Sequence, residues 1–522
     1  MTYRLTYATM FDPPEALHAG FEAALARVSA TLGARHGLYL EGHDVDRANV
    51  ARRASPIDTG LVLGDFALAD AGDVDTAMRA AHAAFPAWRA TPLAERARRV
   101  RAAGDLMEQR VFDIAAALVL EVGKNRMEAL GEAQETVDFF RHYADQFEAE
   151  QGYEHALPND PLAGVSSRNR SVMRPHGAWV VIAPFNFPLA LAGGPTAAAL
   201  VTGNTVVCKA ASDTPWSGRL LADCLRDAGL PPGVFQYLSG SGRDVGEALA
   251  SHPLTAGITF TGSVGVGMHL LRKMGGPPYP RPCIAEMGGK NACIVTAHAD
   301  LDRAASGIVR SAYGMGGQKC SALSRLYVQH AVADELIERV RQKIAAIRIG
   351  DPRVREHWLG PVINAGAQAN HADCVALLRE AGATFHAGGG GLHDAALARG
   401  HYVEPVFAEA DLALPLWSTE MFLPILMLHR VRDREEAMQL ANASPVGLTA
   451  GFYGGADEVP WFQEHIEAGV TYANRPQGAT TGAWPGYQPF GGWKGSGSTG
   501  KAIASFPYLQ QYLREQSRTV VD

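Results

Sequence analysis

The sequence predicts an α/β protein made of two parallel-sheet units with a helical lead-in. Three observations predict it. Residues 75–150 are rich in Ala, Arg and Glu, with apolar residues at helical spacing. From residue 171, short β-rich runs alternate with helix-like segments. The same alternation resumes after Lys290. Strands that alternate with helices pair in parallel through right-handed crossovers.

Taken in order, residues 94–107 and 111–122 read as amphipathic helices. Residues 178–183 form a β-rich run that ends in a Pro-containing turn, and a helix-like segment follows. Residues 204–209, 234–238 and 257–260 are the next strands, separated by helices at 215–228 and from Asp244. The second unit begins with a strand at 292–295 and a helix around 300–313. A strand at 325–328 and a long helix at 331–348 come next. The units join near residues 282–289. The tail from Gly491 is Gly- and Ser-rich, then aromatic at Phe506, Tyr508 and Tyr512.

With 522 residues, two or three domains are expected. Apolar residues at 47% and charged residues at 19% describe a soluble globular enzyme. The net charge of −7 and the lack of a like-charge block argue against nucleic acid or an anionic membrane as partner. The start has no basic segment followed by an apolar run, so no secretory signal is expected, and the reading is cytoplasmic. The most membrane-like stretch, residues 187–208, holds Pro188, Pro195 and Asn204, and Lys209 follows directly. A buried β-α-β segment explains it better than a span. The six cysteines contain no CxxC pair, so no metal site is expected and reduced thiols are. Cys208, Cys283, Cys293 and Cys374 sit in apolar runs and Cys224 in a helical pattern. Cys320 differs: it stands in Gly316-Gly317-Gln318-Lys319-Cys320-Ser321, a small, polar setting that places the thiol in the open beside a cation.

Four constellations carry chemistry. Phe260-Thr261-Gly262-Ser263 runs a strand into a helix through a Gly-rich turn, which lets amides approach a pyrophosphate at a helix N-terminus. Asn186, in Ala183-Pro184-Phe185-Asn186-Phe187-Pro188, is an amide at a strand end that could donate to an oxyanion. Glu286, before Met287-Gly288-Gly289, is a carboxylate ending an apolar run, suited to a desolvated base. Cys320 is the candidate nucleophile. Singly, each has an ordinary explanation: a tight turn, a turn residue, a cap, a buried thiol. Together they are the parts of one mechanism.

On these motifs, with Pro489-Phe490-Gly491-Gly492, the chain resembles the aldehyde dehydrogenase superfamily over residues 40–510. The resemblance implies a Rossmann-type NAD(P)-binding domain at 1–151 and 176–285 with N-terminal helices. It implies an α/β catalytic domain at 286–490 and a small β arm for oligomerisation at 152–175 and 491–522. By the same resemblance, Cys320 attacks an aldehyde and forms a thioester, while Asn186 and the Cys320 amide hold the oxyanion. Glu286 then activates water. Lys209 would bind the adenosine ribose, and Glu420 the nicotinamide ribose with Phe422 beside it. Further cofactor contacts are implied at Ile182, Ala183, Pro184, Phe185, Gly242, Phe260, Gly262, Ser263, Val266, Met287 and Gly288. Three positions depart from the family pattern: Phe185 replaces a Trp, Leu423 a Gly, and Ser212 a Glu that would repel a 2′-phosphate. The cofactor is therefore NAD, with NADP admitted.

Three stretches resemble the Δ1-pyrroline-5-carboxylate (L-glutamate γ-semialdehyde) dehydrogenase branch: Glu121-Val122-Gly123-Lys124-Asn125, Ser321 directly after the nucleophile, and residues 481–492. The branch implies a carboxylate grip by Ser321 and the amides of Gly482 and Ala483. It also implies Phe187 and Phe490 around the methylene chain, and Glu135 near the ammonium. Trp484-Pro485 stands where a small apolar residue is commoner. A small aldehyde substrate, a dimer-based homo-oligomer and a link to proline dehydrogenase complete the expectation. The rivals are another carboxylated or aromatic aldehyde, a thiol esterase, and a silent binding protein on the same fold.

Overall fold

The computed structural model describes residues 5–6, 9–10, 13–161, 163–479 and 484–521. Two seven-stranded sheets form its frame. The first runs in the order Cys283–Met287, Thr255–Gly262, Ala178–Ile182, Thr205–Lys209, Phe235–Leu238, Leu38–Leu40, His43–Val45. Its first five strands are parallel, and Leu38–Leu40 joins antiparallel to Phe235–Leu238. Buried on both faces, such strands read as continuous apolar runs, as Ala178–Ile182 does. From Ala178–Ile182 the chain order proceeds one way through Thr205–Lys209 and the other way through Thr255–Gly262. Such a reversal opens a crevice at the carboxyl ends of the strands. Residues 183–188 and Gly262-Ser263 leave the sheet at those ends.

The second sheet runs Thr384–Ala387, Val406–Glu409, Ile425–Val431, Leu323–Gln329, Asn291–Val295, Thr449–Tyr453, Val470–Ala473. Its Thr384–Ala387 edge is antiparallel and the other pairings are parallel. Cys283–Met287 belongs to the first sheet and carries Glu286, so the expected boundary at 285/286 falls inside that strand. A three-stranded antiparallel sheet of Leu513–Val521, Ser167–Pro175 and His155–Leu157 makes a separate arm.

The helical lead-in consists of Ala71–Ala90, Leu93–Gln109, Val111–Val122 and Arg126–Ala149. Residues 121–125 make the corner between the last two. Gly123 ends the first helix at φ +82°, and a Cβ there would meet the Pro361 ring. Asn125 caps the second, accepting from the amides of Met127 (3.1 Å) and Glu128 (3.0 Å). Glu121 accepts from the Trp216 and Ser217 amides at 2.6 and 2.9 Å, holding the N-terminus of helix Pro215–Asp227. The aromatic tail packs inward: the Tyr512 ring lies 4.7 Å from Trp179, which donates to Thr259 Oγ1 at 3.0 Å. Among the described residues no helix is long and apolar enough to cross a membrane.

Candidate active site

The crevice is a cavity of about 780 Å³ that Asn186 and Cys320 line together with residues 182–185, Phe260, Gly262, Ser263 and Met287. Asn186 is 3% exposed, and its amide donates to the Gln318 carbonyl at 3.0 Å, two residues before the nucleophile. One N–H of that NH₂ is thus used to fix the side chain, and the other remains for an oxyanion.

The Cys320 loop is shaped by consecutive left-handed residues. After helix Leu301–Tyr313, Met315, Gly316 and Gly317 take φ of 54°, 63° and 66°. At Gly317 a Cβ would collide with the Leu423 carbonyl, so glycine is required there. Asn291 clamps the loop from the neighbouring strand, donating to the carbonyls of Cys320 (2.6 Å) and Ala322 (2.9 Å) and accepting from Thr449 N at 2.9 Å. Gln318 accepts from Ile363 N at 2.9 Å.

The thiol's surroundings differ from the sequence expectation of an open group beside a cation. Cys320 is half-buried, and burial, then the charges of Glu420 and Glu286, push its pKa up to about 12. Lys319 is 4% exposed: burial lowers its pKa to about 8, and the Glu128 carboxylate acts in the other direction.

Glu286 is 8% exposed, and its Oε2 has no hydrogen-bond partner among the described residues. Burial raises its pKa to about 8, with the Gly492 amide opposing. Its charge acts on the Cys320 thiol, so the two groups are electrostatic neighbours. A carboxylate poised near neutrality, with an unused oxygen, suits a general base.

At the far end of the cavity, Ser263 caps helix Val264–Met274 through Val266 N, leaving a helix N-terminus at the cleft. Gly242 and Val266 line the same wall. Glu420 accepts from Gly289 N at 2.9 Å, and a Cβ at Gly288 would sit on its carboxylate. Phe422 takes φ +59° and lies edge-on to Phe185 at 5.7 Å. The left-handed residue of this turn is thus Phe422 itself, while Leu423 N-terminal to Pro424 backs the Cys320 loop. Lys209 is 3% exposed, with Nζ donating to Ala210 O at 2.9 Å and its stem beside Gly246; burial lowers its pKa to about 8. Ser212 does not line the main cavity. It lines a side pocket of about 170 Å³ that shares Ala211 with it. The glycines at 262 and 288, the capped helix N-terminus, Lys209 and Glu420 together fit a dinucleotide.

On the substrate side, Ser321 is fully buried and its hydroxyl has no partner among the described residues. Phe187 and Phe490 share one apolar cluster against which Cys320 packs. Glu135 is 2% exposed on helix Arg126–Ala149, not on a solvated face. Trp484 is buried and donates to Asp138 Oδ2 at 3.0 Å. Gly482 and Ala483 lie outside the described residues. Sequence reasoning missed a buried ion pair: Lys124 Nζ lies 2.5 Å from Glu132 Oε2 and 3.6 Å from the Phe187 ring centroid. Glu132 Oε1 accepts from Leu189 N (2.8 Å) and Ala190 N (3.2 Å), directly after the Asn186 motif. The sequence did mark Lys124, without showing its partner. Among the described residues no cluster of His, Cys, Asp and Glu could hold a metal ion.

The chain belongs to the aldehyde dehydrogenase family, which it matches over residues 45–517. Within that family it is similar to 1-pyrroline-5-carboxylate dehydrogenase from Geobacillus thermodenitrificans, at 36% identity over 97% of this chain and 96% of that one. Its fold is similar to 1-pyrroline-5-carboxylate dehydrogenase from Thermus with bound NAD: TM-score 0.92, 33% identity, 100% of this chain and 99% of that chain. A further similar structure is proline utilization A (PutA) from Bdellovibrio bacteriovorus, with TM-score 0.90 and 31% identity over 97% of this chain and 52% of that chain.

Proposed function

We propose that this protein oxidises L-glutamate γ-semialdehyde, the open form of Δ1-pyrroline-5-carboxylate, to L-glutamate with NAD(P)⁺ as the second step of proline catabolism. The observation that carries the reading is one cavity lined by both the Cys320 thiol and the Asn186 amide, with the Glu286 charge acting on that thiol.

The thiol of Cys320 loses its proton to solvent through the cleft, and its sulfur attacks the aldehyde carbon. Asn186 Nδ2 and the Cys320 N–H hold the resulting oxyanion. An oxidised dinucleotide held in the cleft by Lys209 and Glu420 would supply a positive charge that favours the thiolate and would accept the hydride. Loss of hydride leaves a thioester on Cys320. Glu286 takes a proton from water, the hydroxide adds to the acyl carbon, and collapse expels the thiolate and releases the acid. Lys209 and Glu420 position the two riboses. The Ser321 hydroxyl, with Gly482 and Ala483, grips the substrate carboxylate, and Glu135 faces the ammonium. Phe187 and Phe490 enclose the chain.

The three-stranded arm would join copies in a dimer-based homo-oligomer, since it exposes Leu157, Val520 and Val521. A proline-oxidising enzyme is the natural source of the substrate. Six unpaired thiols suit a reducing compartment such as the cytoplasm. The test is NADH production from glutamate γ-semialdehyde beside aliphatic and aromatic aldehydes of similar length. The reading expects kcat/KM for the semialdehyde to exceed the others by at least roughly 100-fold, as a site built for a charged group discriminates. An aromatic or simple aliphatic aldehyde turned over as well would replace the proposed substrate.

A further inference from the structure

We propose that Trp484 is a positioning residue for the substrate: its indole N–H, bound to Asp138, latches residues 484–492 onto the helix that carries Glu135. The inference rests on the substrate reading given above. It adds the contact that fixes the carboxylate end of that site.

Residues 484–488 fold into a turn closed by two backbone bonds. Trp484 N donates to Gln488 O at 2.9 Å, and Gln488 N donates to Trp484 O at 2.9 Å. Gly486 takes φ +93° inside the turn, a conformation that glycine adopts without strain. Arg475 Nη1 donates to Gln488 Oε1 at 3.4 Å. Two residues further on, Phe490 pairs with Ile503 through bonds of 3.0 and 2.8 Å. The turn is therefore a preformed unit joined to Phe490. Gly482 and Ala483 precede it directly in the chain.

The Trp484 side chain places this unit. It is 2% exposed, in the apolar cluster that also holds Phe187 and Phe490. A buried indole N–H needs an acceptor. Asp138 Oδ2 supplies it at 3.0 Å, from a position 346 residues away in the chain. Asp138 lies one helical turn after Glu135, so both project from one side of helix Arg126–Ala149. The other Asp138 oxygen accepts from Gln134 Nε2 at 3.1 Å, which holds the carboxylate in place. The acceptor is charged, and such bonds are about twice as strong as neutral ones. A phenylalanine would occupy the same apolar space without reaching Asp138. The N–H, rather than the bulk of the ring, thus ties the turn to the helix at Glu135.

The experiment compares the full-length protein with Trp484→Phe, Asp138→Leu and Asp138→Asn, using glutamate γ-semialdehyde beside pentanal, an uncharged aldehyde of equal length. Trp484→Phe should raise KM for the semialdehyde by roughly tenfold, because a segment no longer held spends less time in the binding position. Its kcat, and KM for pentanal, should move by less than about threefold. Asp138→Leu should match it, and Asp138→Asn should fall between, since it keeps an acceptor and loses the charge. The double variant Trp484→Phe with Asp138→Leu should be no worse than either single one, as one bond is lost in all three. An unchanged KM for the semialdehyde, an equal rise for pentanal, or additive effects in the double variant would overturn the proposal. Should Trp484→Phe fail to fold, the two Asp138 variants decide by the same kinetic criteria. A wild type that does not prefer the semialdehyde removes the substrate reading instead, and backbone hydrogen exchange then decides the latch. Asp138→Leu leaves the sequence of 484–490 intact and should speed exchange there by at least roughly tenfold. Unchanged exchange over 484–490 would overturn it.

Discussion

The Lys124–Glu132 pair offers the sharpest structural perturbation. Both side chains are 0% exposed and meet at 2.5 Å, and the ammonium stands 3.6 Å above the Phe187 ring centroid. Lys124→Met removes the cation, keeps the volume, and leaves Glu132 buried with Leu189 N and Ala190 N as its remaining donors. Stranding one charge of a buried pair costs about 3–5 kcal/mol. The two amides partly hold the carboxylate, so the expected loss lies near the lower end, about 3 kcal/mol, by urea unfolding. The same change loosens the segment that follows Asn186, so kcat should drop by at least roughly tenfold, within the range for a misplaced oxyanion donor. Replacing both partners, Lys124→Met with Glu132→Gln, should recover part of the stability because neither charge is then stranded. A single variant that loses less than about 1 kcal/mol and keeps kcat would refute the idea that this pair fixes the oxyanion segment.

The remaining predictions concern the reacting groups. Cys320→Ala should abolish both NAD reduction and thioester formation, checked by absorbance and by mass spectrometry of quenched protein. Asn291→Ala leaves the Cys320 and Ala322 carbonyls without their donor and should lower kcat by at least roughly tenfold while sparing dinucleotide affinity. Ser321→Ala should raise KM for the carboxylated semialdehyde by roughly tenfold, the worth of one hydrogen bond to a charged group, and leave a plain aldehyde of equal length nearly unchanged. The Glu286 pKa, raised to about 8 by burial, sets the pH dependence. The base is the ionised form, so steady-state kcat should climb as pH rises through 8 and level off above it. A flat profile between pH 6.5 and 9 would count against this carboxylate as the base.

Much of the fold was legible because the parallel strands are apolar on both faces and alternate with helices. Strands at Ala178–Ile182, Thr205–Lys209 and Leu323–Gln329 fall within a residue or two of the runs read from the sequence. The N-terminal strands were not read, because Leu38–Leu40 and His43–Val45 are three residues each and carry little periodicity. Asn186, Cys320 and Glu286 stood out through glycine and proline context. Their electrical settings did not. The burial of Lys319 and the rise of the Cys320 pKa depend on what folds against the loop. Lys124 and Glu132 are eight residues apart across a helix start, so their pairing is a tertiary fact. Trp484 and Asp138 lie 346 residues apart, with no local signal that they meet.

The division of labour between Cys320 and Glu286 is open to one rapid-mixing measurement on Glu286→Gln with glutamate γ-semialdehyde. The Glu286 charge raises the thiol pKa, so a neutral glutamine does not hinder attack. The variant should give a burst of NADH close to one equivalent per site and accumulate an acyl group on Cys320, while steady turnover falls by roughly 100-fold or more, the scale of a lost general base. Loss of the burst together with the steady rate, or a burst with no acyl group on Cys320, would contradict the account.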